Sequence, residues 1–248
     1  MKKLIVLILL LLAGPAGAAV EGTWTSLGPE GGDAVSLAVS PDRVLWAGLS
    51  NAGGLFRSSD GGESWSRTGG ELGHQSILAV AADPVRPKLV YAGTWNGFFR
   101  SIDGGRTWAR SNQGLPSYSG QPAEVRALAV DPRHPRRVFA LSGGGLYLSR
   151  NQGRSWELLL QSYAEAFAIA PSDPRVLYVL ESFGRGRRST DGGLTWTPMN
   201  LGFYGYDAFF LAVHPTDPEL VWAAVHIESR GPALLRSEDG GRSWEPVW

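Results

Sequence analysis

Short apolar runs alternate along the chain with turns rich in Gly, Pro and Asp, and the pattern returns five times between residues 35 and 248. Each unit starts with an apolar triplet, which lies at residues 37–39, 78–80, 128–130, 167–169 and 211–213. A Pro turn follows, then a β-rich run with an aromatic residue, then a Gly-rich step into a third short run. With no helical periodicity in the mature chain, this pattern predicts an all-β domain.

A motif of eight residues, which we call the octet turn, follows the third run of every unit. It reads SSDGGESW at residues 58–65 and returns as SIDGGRTW from 101, SRNQGRSW from 149, STDGGLTW from 189 and SEDGGRSW from 237. Its third residue can accept hydrogen bonds from backbone N–H groups, its glycines permit positive φ, and its Trp is expected to be a buried scaffold residue. The residues concerned are Asp60, Asp103, Asn151, Asp191 and Asp239, with Trp65, Trp108, Trp156, Trp196 and Trp244.

The neutral side chain of Asn151 in the third octet turn bears on metal binding. Since Asn makes the same local bonds as Asp, the copies need no charge, and this argues against a metal-ligand role for the acidic copies. The four His residues are scattered without paired spacing, so we expect neither a metal nor another cofactor.

The repeat also predicts the architecture. Each unit has four short strands, A to D, and cannot bury its own faces, whereas units stacked around an axis can. We therefore expect a β-propeller of five four-stranded blades, with an octet turn between strands C and D, as a single domain over residues 20–248. Residues 24–27 and 244–248 both resemble a D strand, so six candidates compete for five places. The sequence leaves open whether the first adds as a fifth strand or belongs to a degenerate extra blade.

The S-x-D-x-G-x-x-W pattern of the octets resembles the Asp-box, or BNR, repeat. The resemblance covers residues 35–248. Repeats of this kind occur in propellers of sialidases, sortilin-like receptors, xyloglucan-specific glycosidases and photosystem II assembly factors. The resemblance therefore implies a propeller and leaves its activity open.

The N-terminus predicts export. Lys2 and Lys3 precede an apolar run over residues 4–13 and small residues over 16–19, which is typical of a secretory signal over residues 1–19. The run is too short to span a bilayer, so we expect a secreted or periplasmic protein with no membrane insertion after cleavage. The chain has no Cys and therefore no disulfide framework. Its 23 basic and 23 acidic residues give a formal net charge of zero, so there is no global electrostatic case for a nucleic-acid partner.

Propeller topology separates the repeated turns from the irregular loops. The Pro turns and octet turns belong to one face, here called the octet face, and are interpreted as scaffold. The B-to-C and D-to-A loops belong to the other, the loop face, where recognition residues are expected. The binding candidates are Trp95, Tyr118, Tyr204, Tyr206, Arg185 and Arg187. The alternative is that these are ordinary solvated loop residues.

Blade four departs most from the repeat. Arg187 occupies the strand position of Phe56, Phe99, Tyr147 and Leu235 in the other blades, and Arg185 is additional. A guanidinium in an apolar position is costly unless it is paired or reached by solvent. Two alternatives remain: the two arginines bind a carboxylate or phosphate of a partner, or they form a salt bridge to Glu181 or another loop acid.

These features favour an exported, non-catalytic binding or assembly module that holds a protein segment on its loop face. The alternative is carbohydrate binding or glycoside hydrolysis, as in a sialidase. A glycosidase needs a pair of carboxylates, or a Tyr nucleophile with a carboxylate partner. Glu124, Asp207 and Tyr204 would then be the catalytic candidates, and Trp95, Tyr118, Tyr204 and Tyr206 the stacking residues.

Overall fold

The structure is a computed structural model and describes residues 28–29, 32–202, 206–227 and 231–247. Over these residues it contains five antiparallel four-stranded sheets, arranged as a five-bladed β-propeller, which confirms the predicted fold class. Each sheet follows chain order from strand A to strand D. The octet turns lie between strands C and D, as expected.

The strand bounds define the blades. Blades 1 and 2 consist of β1 (Ala34–Val39), β2 (Leu45–Leu49), β3 (Gly54–Ser58), β4 (Ser66–Arg67), β5 (Ile77–Ala82), β6 (Val90–Thr94), β7 (Gly97–Ser101) and β8 (Ala109–Arg110). A small hairpin follows, with β9 (Ser117–Tyr118) and β10 (Gln121–Pro122). Blade 3 consists of β11 (Val125–Val130), β12 (Val138–Ser142), β13 (Gly145–Ser149) and β14 (Glu157–Gln161).

The last two blades have the same order of strands. They consist of β15 (Ala164–Ile169), β16 (Leu177–Glu181), β17 (Arg185–Ser189), β18 (Thr197–Asn200), β19 (Tyr206–Val213), β20 (Val221–Ile227), β21 (Gly231–Ser237) and β22 (Glu245–Pro246). Two short 3-10 helices, Gly70–His74 and Ser182–Gly184, lie in connections of the loop face.

The register of blade 2 corrects one expectation. Ala81 lies opposite the aromatic Tyr91, as Ala38 lies opposite Trp46 in blade 1. The equivalent triplet is therefore residues 80–82, and the prediction of 78–80 was wrong by two residues. Because all of β5 is apolar, its hydrophobic pattern does not fix the register. The Pro turn after Asp83 does.

Four apolar cores lie between successive blades, each centred on the aromatic residue of a B strand. These aromatics, which are almost completely buried, are Trp46, Tyr91, Phe139 and Tyr178. The octet turn of the following blade comes close to them. A Cβ built on Gly105 would lie 2.6 Å from the Trp46 ring, and Gly105 has φ +79°, so only glycine fits this approach. Blades are therefore joined by apolar packing and by close backbone contact.

The Trp residues of the octet turns are less buried than expected. Trp156 is 6% exposed, whereas the other four are only partly buried. Trp108, Trp196 and Trp244 donate from Nε1 to the carbonyl of their own octet's fifth residue, at 3.1–3.2 Å. Trp156 instead donates to Ser111 O at 3.0 Å, in the preceding blade. Trp108, Trp196 and Trp244 still pack against the apolar cores, so the octet Trp residues differ in the extent of their burial.

The junction between blade 5 and blade 1 differs from the other four. Over the described ranges, no fifth apolar core lies there. Leu37 and Val39 of β1 are 54% and 62% exposed, whereas Val80, the counterpart of Leu37 in blade 2, is 5% exposed. Trp222 is partly buried, unlike the other B-strand aromatics. The apolar side of β1 is therefore not covered by the described residues, whereas the A strands of the other blades are covered by the blade before them.

The structure assigns one of the two competing D strands. Glu245 and Pro246 pair with β21 and complete blade 5. The other candidate, residues 24–27, lies outside the described residues, as does the predicted signal over residues 1–19. In the part of the chain that is described, no helix is long and apolar enough to cross a membrane.

Candidate functional site

The loop face of blades 3 and 4 carries two exposed tyrosines beside a glycine turn. The turn joins β12 to β13 through Gly143 and Gly144, and Gly145 begins β13. Tyr118 and Tyr163 are 58% and 81% exposed. We call Tyr118, Gly143, Gly144 and Tyr163 the tyrosine platform.

Backbone and side-chain bonds hold Tyr118 in place. It belongs to the β9–β10 hairpin, in which it pairs with Gln121 across a turn where Ser119 and Gly120 both have positive φ. Its hydroxyl donates to Gly143 O at 2.9 Å. The ring is therefore anchored at both ends while one side remains open to solvent.

The position of Tyr163 follows from a short connection. Only Ser162 and Tyr163 separate β14 from β15. Ser162 N donates to Gly144 O at 3.0 Å, and Ser182 N donates to Tyr163 O at 3.2 Å. A Cβ built on Gly144 would lie 3.9 Å from the Tyr163 ring. The two tyrosines thus border neighbouring glycines of one turn, on a rigid scaffold.

A buried carboxylate lies next to the tyrosine platform. Glu181 Oε1 accepts from Ser162 Oγ at 2.5 Å and from Arg187 Nε at 2.7 Å. Glu181 is buried, whereas the Arg187 side chain is 43% exposed. Arg187 does occupy the predicted position, opposite Val179 as Phe56 is opposite Ala47. The ion pair with Glu181 is one of the two alternatives that the sequence left open.

Arg185 lies at the solvent end of the same strand. It pairs across the sheet with Glu181 and is exposed. Glu181, Arg185 and Arg187 point to one face of blade 4, because side chains alternate along β17. The cluster therefore combines one buried negative charge with two positive charges at the edge of the tyrosine platform.

Glu165 has a structural role, because both of its carboxylate oxygens accept hydrogen bonds from neighbouring elements. Its Oε1 accepts from Ser182 Oγ at 2.7 Å, and its Oε2 accepts from the backbone N–H of Ala208 at 2.6 Å. Both oxygens are engaged, so the side chain joins the Ser182–Gly184 helix to β19. This fixes the loop face between blades 4 and 5.

Of the three catalytic candidates, the structure describes the side chain of Glu124 alone. Glu124 forms an ion pair with Arg126, with Oε1 3.6 Å from Nε, and Arg126 also donates to Ala164 O. Asp207 and Tyr206 belong to β19, but their side chains lie outside the described part, and Tyr204 lies outside it entirely. Trp95 is exposed on the loop face at the β6–β7 turn of blade 2.

Local hydrogen bonds account for the octet residues. Asp103 Oδ1 accepts from the N–H groups of Arg106 and Thr107 at 3.0 and 2.9 Å, and Oδ2 accepts from Thr107 Oγ1 at 2.6 Å. These bonds, with the Thr107 hydroxyl first, lower the pKa of Asp103 to about 2. Similar bonds lower the pKa values of Asp60, Asp191 and Asp239. These are turn-stabilising groups of the octet face.

Asn151 keeps the same geometry with a neutral side chain. Its Oδ1 accepts from the N–H groups of Arg154 and Ser155, and its Nδ2 donates to Ser155 Oγ at 2.8 Å. The hydroxyl partner thus accepts where Thr107 donates. Within the described ranges, no group of three or more His, Asp or Glu side chains is arranged to hold a metal.

Sequence reasoning did not single out Ser162 or Tyr163 as site residues. The available signal was the short D-to-A connection of blade 3, because the other described connections between blades are longer. The glycine turn of blade 3 was a second signal, since a turn without side chains lets both tyrosines approach its backbone.

Comparisons with known proteins agree on the fold. No protein-family model and no curated protein matches the chain. An ancestral GH74 enzyme superposes with a TM-score of 0.71 at 20% identity, over 93% of this chain and 33% of that one. YCF48 from Cyanidioschyzon merolae gives a TM-score of 0.59 at 15% identity, over 88% and 86% of the two chains. YCF48 bound to D1 peptide gives 0.52 at 18% identity, over 86% and 82%.

A further similar structure is the extracellular domain of BT4673 from B. thetaiotaomicron, with a TM-score of 0.61, 16% identity, and coverage of 82% of this chain and 27% of that one. The chain spans 33% to 38% of the length of the GH74 structures it matches. At these identities the likeness shows the β-propeller fold alone.

Proposed function

We propose that this protein is a non-catalytic binding or assembly module that holds a protein segment on its loop face. The observation that carries the proposal is the tyrosine platform, in which the Tyr118 ring is anchored by its hydroxyl and the exposed Tyr163 ring lies beside the same glycine turn. Exposed aromatic rings that are already ordered bind with a small loss of conformational entropy. A peptide would pack its apolar side chains on the rings and run its backbone along the glycines.

The charges beside the platform support an anionic group on the partner. Arg185 is exposed at the end of β17, so it is a candidate for direct contact with a carboxylate or phosphate of the partner. Arg187 would then hold Glu181 neutralised and so keep the local charge positive. We propose that the predicted binding residues Trp95, Tyr204 and Tyr206 also contact the partner.

The similarity to YCF48 bound to D1 peptide supports a peptide partner, since both chains are covered over most of their length. The similarity to GH74 enzymes supports the second candidate, glycan binding or hydrolysis, in which Tyr118 and Tyr163 would stack on sugar rings. Export completes the proposal: residues 1–19 as a secretory signal, residues 20–248 as one propeller domain, and a secreted or periplasmic location. The extracellular BT4673 domain agrees with it.

The test is selection of random peptides displayed on phage against the immobilised mature protein. Selected peptides are then measured by fluorescence anisotropy. We expect replacement of both Tyr118 and Tyr163 by Ala to weaken binding roughly tenfold or more, since each ring provides a large contact area. Leu194→Ala is the matched control, because Leu194 is an exposed apolar residue of the octet face.

Two outcomes would overturn the proposal. Selected peptides that bind the double variant as well as the wild type would remove the platform from the site. Failure to select any peptide, together with binding of xyloglucan oligosaccharides that depends on the two tyrosines, would establish the glycan alternative.

A further inference from the structure

We propose that the octet face, interpreted above as scaffold, carries a second binding site, for a phosphate or sulfate group, between the Pro turns of blades 3 and 4. A depression of about 240 Å³ lies there, lined by Arg133, His134, Arg137, Ser172, Asp173 and Arg175 among others. It faces away from the tyrosine platform. The inference therefore does not depend on the peptide-binding proposal.

The Pro turn of blade 3 departs from the repeat in its charge. It contains Arg133, His134, Arg136 and Arg137 within five residues, whereas the turn of blade 1 contains one arginine, Arg43. The turn backbone is held by Asp131, which is completely buried and accepts at 2.9 Å from the N–H groups of both Arg133 and His134. A rigid turn thus presents a cluster of basic side chains.

The acids of this site are already paired. Asp131 Oδ2 lies 3.2 Å from Arg137 Nη1, and Asp173 accepts two bonds from Arg175, at 2.9 and 2.8 Å. Arg133 is exposed and forms no ion pair with any described residue. Three guanidinium groups against two carboxylates leave one positive charge in excess. His134, which is 69% exposed, adds another when it is protonated.

Two residues that line the depression each have a buried polar atom without a partner. Ser172 Oγ and Arg137 Nε are buried and make no hydrogen bond. Burial of a polar group without a partner costs stability, and such groups often mark a missing ion or water. A ligand with several anionic oxygens would satisfy these donors and the Arg133 guanidinium together. Arginine suits this chemistry because its planar fork of N–H groups matches phosphate and sulfate oxygens.

The probes are inorganic phosphate and inorganic sulfate, titrated at constant ionic strength into the ¹⁵N-labelled mature protein. We expect saturable shifts confined to the amides of residues 131–137 and 171–175. Arg133→Gln should weaken binding roughly fivefold or more, and Arg133→Lys should retain part of it, since the charge remains. Arg154→Gln, an exposed arginine of the same face outside the depression, should change the affinity by less than about twofold.

A second arm distinguishes a free anion from a group carried on a larger molecule. Glucose 6-phosphate is titrated in the same way. It should bind at least as tightly as inorganic phosphate if the site accepts a phosphate ester, and it should not bind if the site encloses a free ion. Shifts that grow linearly without saturation, or equal weakening by Arg133→Gln and Arg154→Gln, would overturn the proposal. The melting temperature of each variant without ligand controls for folding.

Discussion

At the scale of single residues, the octet turns show how one geometry is built with and without charge. Asp103 accepts three hydrogen bonds from the backbone and from the Thr107 hydroxyl. Asn151 has an N–H donor in place of one acceptor oxygen, so the Ser155 hydroxyl accepts a hydrogen bond instead of donating one. Only the charged version couples the turn to pH. A lowered pKa in the folded state adds stability above the unfolded pKa, and this stability is lost as pH falls through the folded value.

This coupling predicts the acid behaviour of the protein. Between about pH 4, the ordinary value for Asp, and about pH 2, the folded pKa of Asp103 and Asp239, the midpoint of urea unfolding should fall. Asp103→Asn should fold at neutral pH and show a smaller fall than the wild type over this range. Asn151→Ala is the control, because it removes turn bonds without removing a titrating group. An unchanged acid dependence in Asp103→Asn would contradict the account.

At the scale of elements, equivalent residues of the repeat differ in energy because their neighbours differ. Trp156 meets the edge of Phe98 with ring centroids 4.8 Å apart, whereas Trp108 bonds within its own octet and stays partly exposed. We expect Trp156→Ala to cost about 3 to 5 kcal/mol of unfolding free energy. Trp108→Ala should cost at least about 1 kcal/mol less. Chemical denaturation measures both, and equal losses would show that the difference in burial has no energetic weight.

The sequence predicted the strands and blades well because five copies of one unit restrict the choices. It failed on the register of β5, where every residue is apolar, and it did not predict the differences in burial among the octet Trp residues, which depend on the preceding blade. For the site, it identified the position of Arg187 but left its partner open. Ser162 and Tyr163 went unselected because their importance arises from Gly144 and Glu181, which are distant in sequence.

At the scale of the whole molecule, the blades form a series of nearest neighbours with four cores. Stability in such a series is a sum of units and junctions, so a unit with one junction is less stable than a unit with two. β1 packs Ala38 against the core that contains Trp46 of β2, and exposes Leu37 and Val39 on the other side. β11, its counterpart in blade 3, lies between two filled junctions.

This difference predicts a gradient of local stability. Backbone amides of β1 should exchange with solvent at least about tenfold faster than those of β11, since local opening costs less where a core is missing. Hydrogen exchange followed by mass spectrometry measures both segments in one sample. Equal protection of β1 and β11 would contradict the inferred difference between the two junctions.

The two sides of each junction are unlike, and this gives the molecule a direction. One side presents the B-strand aromatic, and the other presents the apolar A-strand residues and the glycine of an octet turn, as Trp46 meets Gly105. Among the described residues, Trp222 and Leu37 lie at the two ends of the series, on sides of opposite kind that no filled core covers. Contacts between these ends in two copies would be heterologous, since neither end complements itself. Association through them would run head to tail, into a closed ring or an open fibre.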